Sequence, residues 1–157
     1  MNDAELAAHL AADAGRILME VRASGRHHGK ELGRAGDAEA NAVLVKALRE
    51  LRPDDGLLSE EEKDSAARLS KSRVWIVDPL DGTREYAEER DDWAVHVALA
   101  VDGVASDGAV ALPALGLVLR SDRPLAPPMR PSRPRMIVSR TRPAAEALDV
   151  AKTLGAE

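Results

Sequence analysis

The chain opens with apolar residues three and four apart: Leu6, Leu10, Ala14, Ile17 and Val21, widened by Ala7, Ala11 and Leu18. That period puts them on one stripe of an amphipathic helix. Asn2 followed by Glu5 is a capping-box pattern, and Gly25 supplies a stop. Residues 26–36, RHHGKELGRAG, read as a polar loop punctuated by glycine. A second helix is predicted from near Asp37 to Leu51 on Ala40, Leu44, Ala47, Leu48 and Leu51, ended by Pro53. Asp37 then stands at a helix start, where capping is its ordinary role.

Beyond residue 56 the period changes. LLSEEE reads as a short strand running into acids, and VWIV (74–77) as a central strand buried on both faces. WAVHVALAV (93–101) alternates, with Trp93, Val95, Val97, Leu99 and Val101 on one face and His96 on the other. Asp102-Gly103 suits a two-residue hairpin turn, and GAVAL and LGLVL read as two further strands. A Pro/Arg-rich stretch, 123–135, reads as a linker; a strand MIVS and a helix from about Pro143 to Leu154 follow it. The expected class is α+β, helices packed on one face of a largely antiparallel sheet. The expected organisation is a lobe over 1–122, the linker 123–135, and one βα unit over 136–157.

Composition alters this picture in two places. There are three aromatic residues, Trp75, Tyr86 and Trp93, and no cysteine, so the core is aliphatic and alanine-rich. Thiolate metal sites, disulfides and cysteine nucleophiles are excluded. Net charge is −5, yet residues 120–142 hold seven arginines against Asp122 alone. The remainder is strongly acidic, which argues against polymeric nucleic acid as a partner. No signal-peptide pattern opens the sequence and no apolar run approaches the roughly 18 residues of a membrane span, so the cytoplasm is the expected compartment.

The chemistry gathers in WIVDPLDGTREY, where a buried strand ends in two aspartates three apart. Three extended residues cover about 10 Å, whereas carboxylates sharing magnesium place oxygens about 2.1 Å from it. Asp78 and Asp81 share a cation only if the chain turns between them, and Asp-Pro suits the opening of a type I turn. Such a turn leaves the Leu80 carbonyl as a further ligand, with Gly82 and Thr83 offering N–H groups to a phosphate. A carboxylate of SEEE (59–62) is placed to meet Asp78 across neighbouring strand ends.

These segments resemble the inositol monophosphatase-like phosphatases: WIVDPLDGTREY is similar to their second metal-binding signature, and LLSEE to the glutamate segment before it. TREY looks like the 3'(2'),5'-bisphosphate nucleotidases of sulfate assimilation within that superfamily, and DDWAVHVAL continues the likeness. The resemblance implies a layered α/β sugar-phosphatase fold and a hydrolase acting on a small phosphorylated substrate, the 3'-phosphate of adenosine 3',5'-bisphosphate, by metal-activated water. Inositol phosphate and fructose bisphosphate are the alternative substrates. It implies two or three Mg²⁺ ions with Li⁺ inhibition, and a homodimer of the kind such enzymes often form. Glu60, Asp78 and the Leu80 carbonyl would hold the first ion. Asp78 and Asp81 would hold the second, and Glu61 would reach a third through water. Gly82, Thr83 and Glu60 would face the substrate, and Thr83 would pair with Asp37 to activate the water.

In this family a second lobe carries a Trp-Asp motif that completes the second metal site. The sequence ends before it, so a further expectation is a metal-binding fragment of feeble activity, with Met136, Val138, Leu148, Val150 and Leu154 uncovered. Haloacid-dehalogenase-type phosphatases also end a strand in Asp…Asp-Gly-Thr, but separate the aspartates by one residue where Pro79 and Leu80 intervene here. His27 and His28 read as exposed loop residues and His96 as a packing residue.

Overall fold

The computed structural model describes residues 1–126 and 132–157. Two compact units divide it, Met1–Pro124 and Leu125–Glu157.

In the first unit, α1 (Asp3–Ala23) and α2 (Lys30–Leu51) precede β1 (Gly56–Ser59). Then come β2 (Arg73–Asp81), the short helix α3 (Thr83–Ala87), β3 (Ala94–Val101), β4 (Val104–Leu112) and β5 (Leu117–Arg120). The strands lie in the order β1-β2-β3-β4-β5, with β1 parallel to β2 and every later pair antiparallel. The capping box forms as the sequence predicts: Asn2 Oδ1 accepts from Glu5 N at 2.7 Å and Glu5 Oε2 accepts from Asn2 N at 3.0 Å. The β3–β4 hairpin turns on Asp102 and Gly103, both at positive φ (50° and 78°).

The core sits between the helices and one face of the sheet. Leu6, Leu10, Ala14 and Leu18 of α1 and Leu44 and Leu48 of α2 are buried with Trp75, Val77, Val95, Val97 and Leu99. The expectation that VWIV is buried on both faces is corrected: Trp75 and Val77 are enclosed, but Ile76 on the opposite face is 42% exposed. The continuous apolar run conceals a strand covered on one side within this unit.

The largest departure is the start of α2. Residues 30–36, expected as loop, are its first two turns, so Asp37 lies inside the helix and caps nothing. Glycines suggested the loop, but packing requires them there. A Cβ on Gly33 would stand 2.9 Å from Thr83 Cγ2, and one on Gly36 2.8 Å from Tyr86 Cε1 and 3.0 Å from Leu18 Cδ2. Helical glycine costs about 1 kcal/mol, and here the cost admits α3 and the Tyr86 ring against the helix. Tyr86 is fully buried, donates to the Leu18 carbonyl at 2.7 Å, and meets Trp93 edge-on at 5.0 Å. The tyrosine of TREY is thus a core residue.

In the second unit, α4 (Ala145–Leu154) forms but buries none of its residues. Met136–Ser139, expected as a strand, is not one. Met136 N donates to the Glu157 carbonyl and Glu157 N to the Pro134 carbonyl, both at 3.0 Å, and no ladder extends from these two bonds among the described residues. Of the expected linker 123–135, residues 127–131 lie outside the described residues.

Gly36→Ala sets the helix-propensity gain of about 1 kcal/mol against overpacking of two buried side chains, which costs typically 1–3 kcal/mol. Urea unfolding is expected to show a net loss of up to about 2 kcal/mol; a raised midpoint contradicts the close packing of α2 on Tyr86.

Candidate active site at the end of the second strand

A turn at Pro79 was expected, and the backbone does something else. β2 continues through Asp81 and carries a β-bulge: Asp78 pairs with His96 and Asp81 with Ala94, so three steps along β2 match two along β3. In a regular strand residues three apart face opposite sides. The extra residue cancels that inversion. Leu80 points into the core, 1% exposed, and Asp81 returns to the face that carries Asp78. Cross-strand partners share a face, so Asp78, Asp81 and His96 stand together, with His96 Nε2 3.1 Å from Asp81 Oδ2. Bulges re-aim side chains in this way beside active sites.

Two further bonds fix the bulge. The Asp78 carboxylate accepts from Leu80 N at 3.0 Å, and the Thr83 hydroxyl donates to the Leu80 carbonyl at 3.1 Å. Gly82 follows at φ 87°, in the left-handed region, and caps α3. A side chain there would also press the Trp93 Cβ at 3.2 Å. Thr83 and Arg84 open the helix, where N–H groups have no intrahelical acceptor.

Glu60 arrives from β1. The register sets Ser59 against Val77, and Glu60 N donates to the Val77 carbonyl at 3.3 Å, bringing Glu60 alongside Asp78. The buried Ser59 donates to Asn41 Oδ1 on α2 at 2.6 Å, tying β1 to that helix one turn beyond Asp37. Neither Asn41 nor Ser59 carries a charge, and no local pattern in the sequence marks the two as partners. Gly33 and Asp37 lie four apart on one face of α2. Gly33 lets Thr83 approach, so the Asp37 carboxylate, on a residue 8% exposed, meets the Thr83 hydroxyl. That hydroxyl has one proton and two acceptors in reach, the Leu80 carbonyl and Asp37.

Burial, reinforced by crowding of acids, dominates the electrostatics. Burial pushes the Asp37 carboxyl up to about 7, the neighbouring charges of Glu61, Asp78 and Glu60 add to the rise, and the Thr83 hydrogen bond opposes it. Asp78 is raised to about 6 by burial, then by Glu60 and Asp81, against the Leu80 N–H and His96. His96 was expected to serve packing only. It is half-exposed, stands 3.1 Å from Asp81 Oδ2 and opposes the rise of the Asp78 carboxyl, so it belongs beside the acids rather than to the packing. Its position opposite Asp78 is the signal that strand pairing supplies and a single strand's alternation does not.

The structure therefore brings Asp37, Glu60, Glu61, Asp78, Asp81, Thr83 and the Leu80 carbonyl to one end of the sheet. Among the described residues, no three His, Asp or Glu side chains converge closely enough to enclose an ion. The donors are nevertheless of the right kind for a hard divalent cation, carboxylates and a carbonyl. Burial and the neighbouring acids both disfavour the charged carboxylates here, a penalty that nearby positive charge would relieve.

The family model for the inositol monophosphatase family matches residues 2–125. The chain belongs to the inositol monophosphatase family. Members of this family are generally metal-dependent. A curated relative, the 3'-phosphoadenosine 5'-phosphate phosphatase of Mycobacterium bovis, is 49% identical over 153 residues, covering 90% of this chain and 57% of the relative. Its namesake from Mycobacterium leprae is 48% identical over 158 residues, with 91% and 58% covered. The inositol monophosphatase structure from Anabaena superposes with a TM-score of 0.60 at 28% identity, covering 77% of this chain and 47% of that one. The chain thus spans a little over half the length of the curated relatives it matches. No helix among the described residues is long and apolar enough to cross a membrane.

Asp37 and Asp78 bind protons more tightly folded than unfolded, so folding takes up protons between their ordinary value of 3.8 and about 6 to 7. The stability they contribute is full below about pH 4 and is lost as pH rises through 6 to 7. In cation-free buffer the melting temperature is expected to fall between about pH 5 and 7.5, and Asp37→Asn to flatten that decline. A melting temperature that rises over the same interval contradicts the crowding of carboxylates.

Proposed function

We propose that the chain forms the metal- and phosphate-binding half of a magnesium-dependent phosphomonoesterase that removes the 3'-phosphate of adenosine 3',5'-bisphosphate. The observation that carries this reading is the acid cluster at the bulged end of β2, in a chain 49% identical to a 3'-phosphoadenosine 5'-phosphate phosphatase across most of its length. The inositol and fructose phosphates have weaker support, because the inositol monophosphatase structure is the more distant relative at 28% identity.

Glu60, Asp78, Asp81 and the Leu80 carbonyl would hold the cations, with Glu61 reaching a further one through water. A bound divalent cation would supply Lewis acidity, acidifying water and offsetting the charge of phosphoryl oxygens. The remaining steps belong to the chain. The N–H groups of Gly82 and Thr83 would receive phosphoryl oxygens where α3 opens, orienting phosphorus toward the attacking water. Thr83 would accept a hydrogen bond from that water while giving its own proton to Asp37, so the proton leaves toward a buried carboxylate. A base has to be deprotonated at the working pH, and a bound cation, by offsetting the charges of Glu61, Asp78 and Glu60, would bring Asp37 down from the value of about 7 that it has without one. Glu60, beside Asp78, would face both cation and substrate.

Two measurements test the reading. Because ligands must be deprotonated to bind metal, Mg²⁺ is expected to raise the melting temperature more at pH 8 than at pH 5.5, and Asp78→Asn to remove the effect; an equal rise at both pH values, or in the variant, contradicts the ligand assignment. The second measures phosphate release from adenosine 3',5'-bisphosphate with Mg²⁺, by this chain and by a form extended at its C-terminus to the length of the relatives. The extended form is expected to turn over, with Thr83→Ala lowering kcat by about 10²–10⁴. Turnover unaffected by that substitution rejects the proton path.

A further inference from the structure

One cavity has no part in the chemistry described so far. It has a volume of about 570 Å³ and lies between the first turns of α2 and helix α3, lined by Lys30, Gly33, Arg34, Thr83, Arg84 and Glu88. That volume falls in the range of small-molecule pockets, about 300–1,000 Å³. Thr83 is shared with the candidate phosphate site, so the cavity opens from the same side chain.

Its charge is unusual for this molecule. Most arginines of the first unit close on acids: Arg16 on Glu20, Arg49 on Glu62, Arg52 on Asp3, Arg73 on Asp55, Arg120 on Asp122. Arg84 in the cavity wall closes on Glu88 at 2.9 Å. Lys30 and Arg34 are exposed and have no acidic partner among the described residues. They sit four apart on α2, so like charges adjoin on one helix face. Both lie near the helix N-terminus, where the backbone dipole disfavours cations. Each placement costs stability locally. A pair that breaks two local rules beside a site for anions is the signature of a functional constraint.

We propose that the cavity is a second anion subsite, in which Lys30 and Arg34 take the phosphoryl group that the substrate keeps. One phosphoryl group lies at Gly82 and Thr83; the other reaches across Thr83 into the cavity, where Arg34 offers a planar two-pronged donor and Lys30 a point charge. The pair thereby selects substrates with two phosphates over those with one. This rests on the phosphatase reading of the same site, and binding separates the two ideas where turnover alone would not.

Titration of the chain in Mg²⁺ buffer with adenosine 3',5'-bisphosphate and with 3'-AMP, which lacks the second phosphate, gives the deciding ratio. The unsubstituted chain is expected to bind the bisphosphate about tenfold to a hundredfold more tightly, the range for added hydrogen bonds to a charged group. In Lys30→Ala/Arg34→Ala the ratio is expected to collapse toward one, while Lys46→Ala, an exposed cation farther along α2, leaves it unchanged. A preference that survives the double substitution, no preference in the unsubstituted chain, or no binding of either nucleotide overturns the subsite. Binding with the expected preference but no phosphate release by the extended form leaves the subsite standing and rejects the phosphatase reading. Phosphate release without preference does the reverse.

Discussion

Carboxylates held close together without a counter-charge repel, and a fold keeps them there only if its framework resists. At the end of β2 the framework is a strand with one residue too many. The bulge between Asp78 and Asp81 sends Leu80 into the core and returns Asp81 to the face of Asp78. Burying Leu80 fully is worth roughly 1.5–3 kcal/mol, so relaxing the bulge to separate the acids would forfeit core packing. The Leu80 N–H to Asp78 and the Thr83 hydroxyl to the Leu80 carbonyl close the same loop from both ends. Hydrophobic burial on one side of the strand thus holds an electrostatically unfavourable arrangement on the other.

A second device delivers Asp37. The carboxylate sits inside a helix, so its position depends on how closely α2 approaches α3. Gly33 and Gly36 set that distance by omission, since a Cβ at either would meet Thr83 or Tyr86 inside van der Waals contact. Tyr86, hydrogen-bonded to the Leu18 carbonyl and stacked edge-on against Trp93, is the wedge around which α1, α2 and α3 assemble. Ser59 and Asn41 add a clamp between β1 and α2, fixing Glu60 and Asp37 relative to each other.

Much of this was legible in the residues themselves. The stripe of α1, its capping box, the Asp102-Gly103 hairpin and the alternation of β3 follow from local periodicity and turn chemistry, and each stands in the structure. The start of α2 was not legible, because glycines placed for close packing carry the same letters as glycines placed for a loop. The bulge was hidden for a related reason: Asp-Pro suits a turn, and only pairing with β3 shows that the strand continues. His96 belongs with Asp81 through a contact between strands, which no reading of one strand reveals. MIVS has strand composition, but a strand requires a neighbour, and composition does not supply one.

The central physical claim is that acids at this sheet end are held together against their own repulsion, and that a divalent cation relieves it. NMR titration of the aspartate carboxyl carbons, without cation and then saturated with Mg²⁺, tests it most directly. Without cation, Asp37 is expected to titrate near 7 and Asp78 near 6, and both are expected to fall well below those values when Mg²⁺ is bound. Ordinary carboxylate values in the cation-free chain, or raised values that Mg²⁺ leaves unmoved, would contradict it.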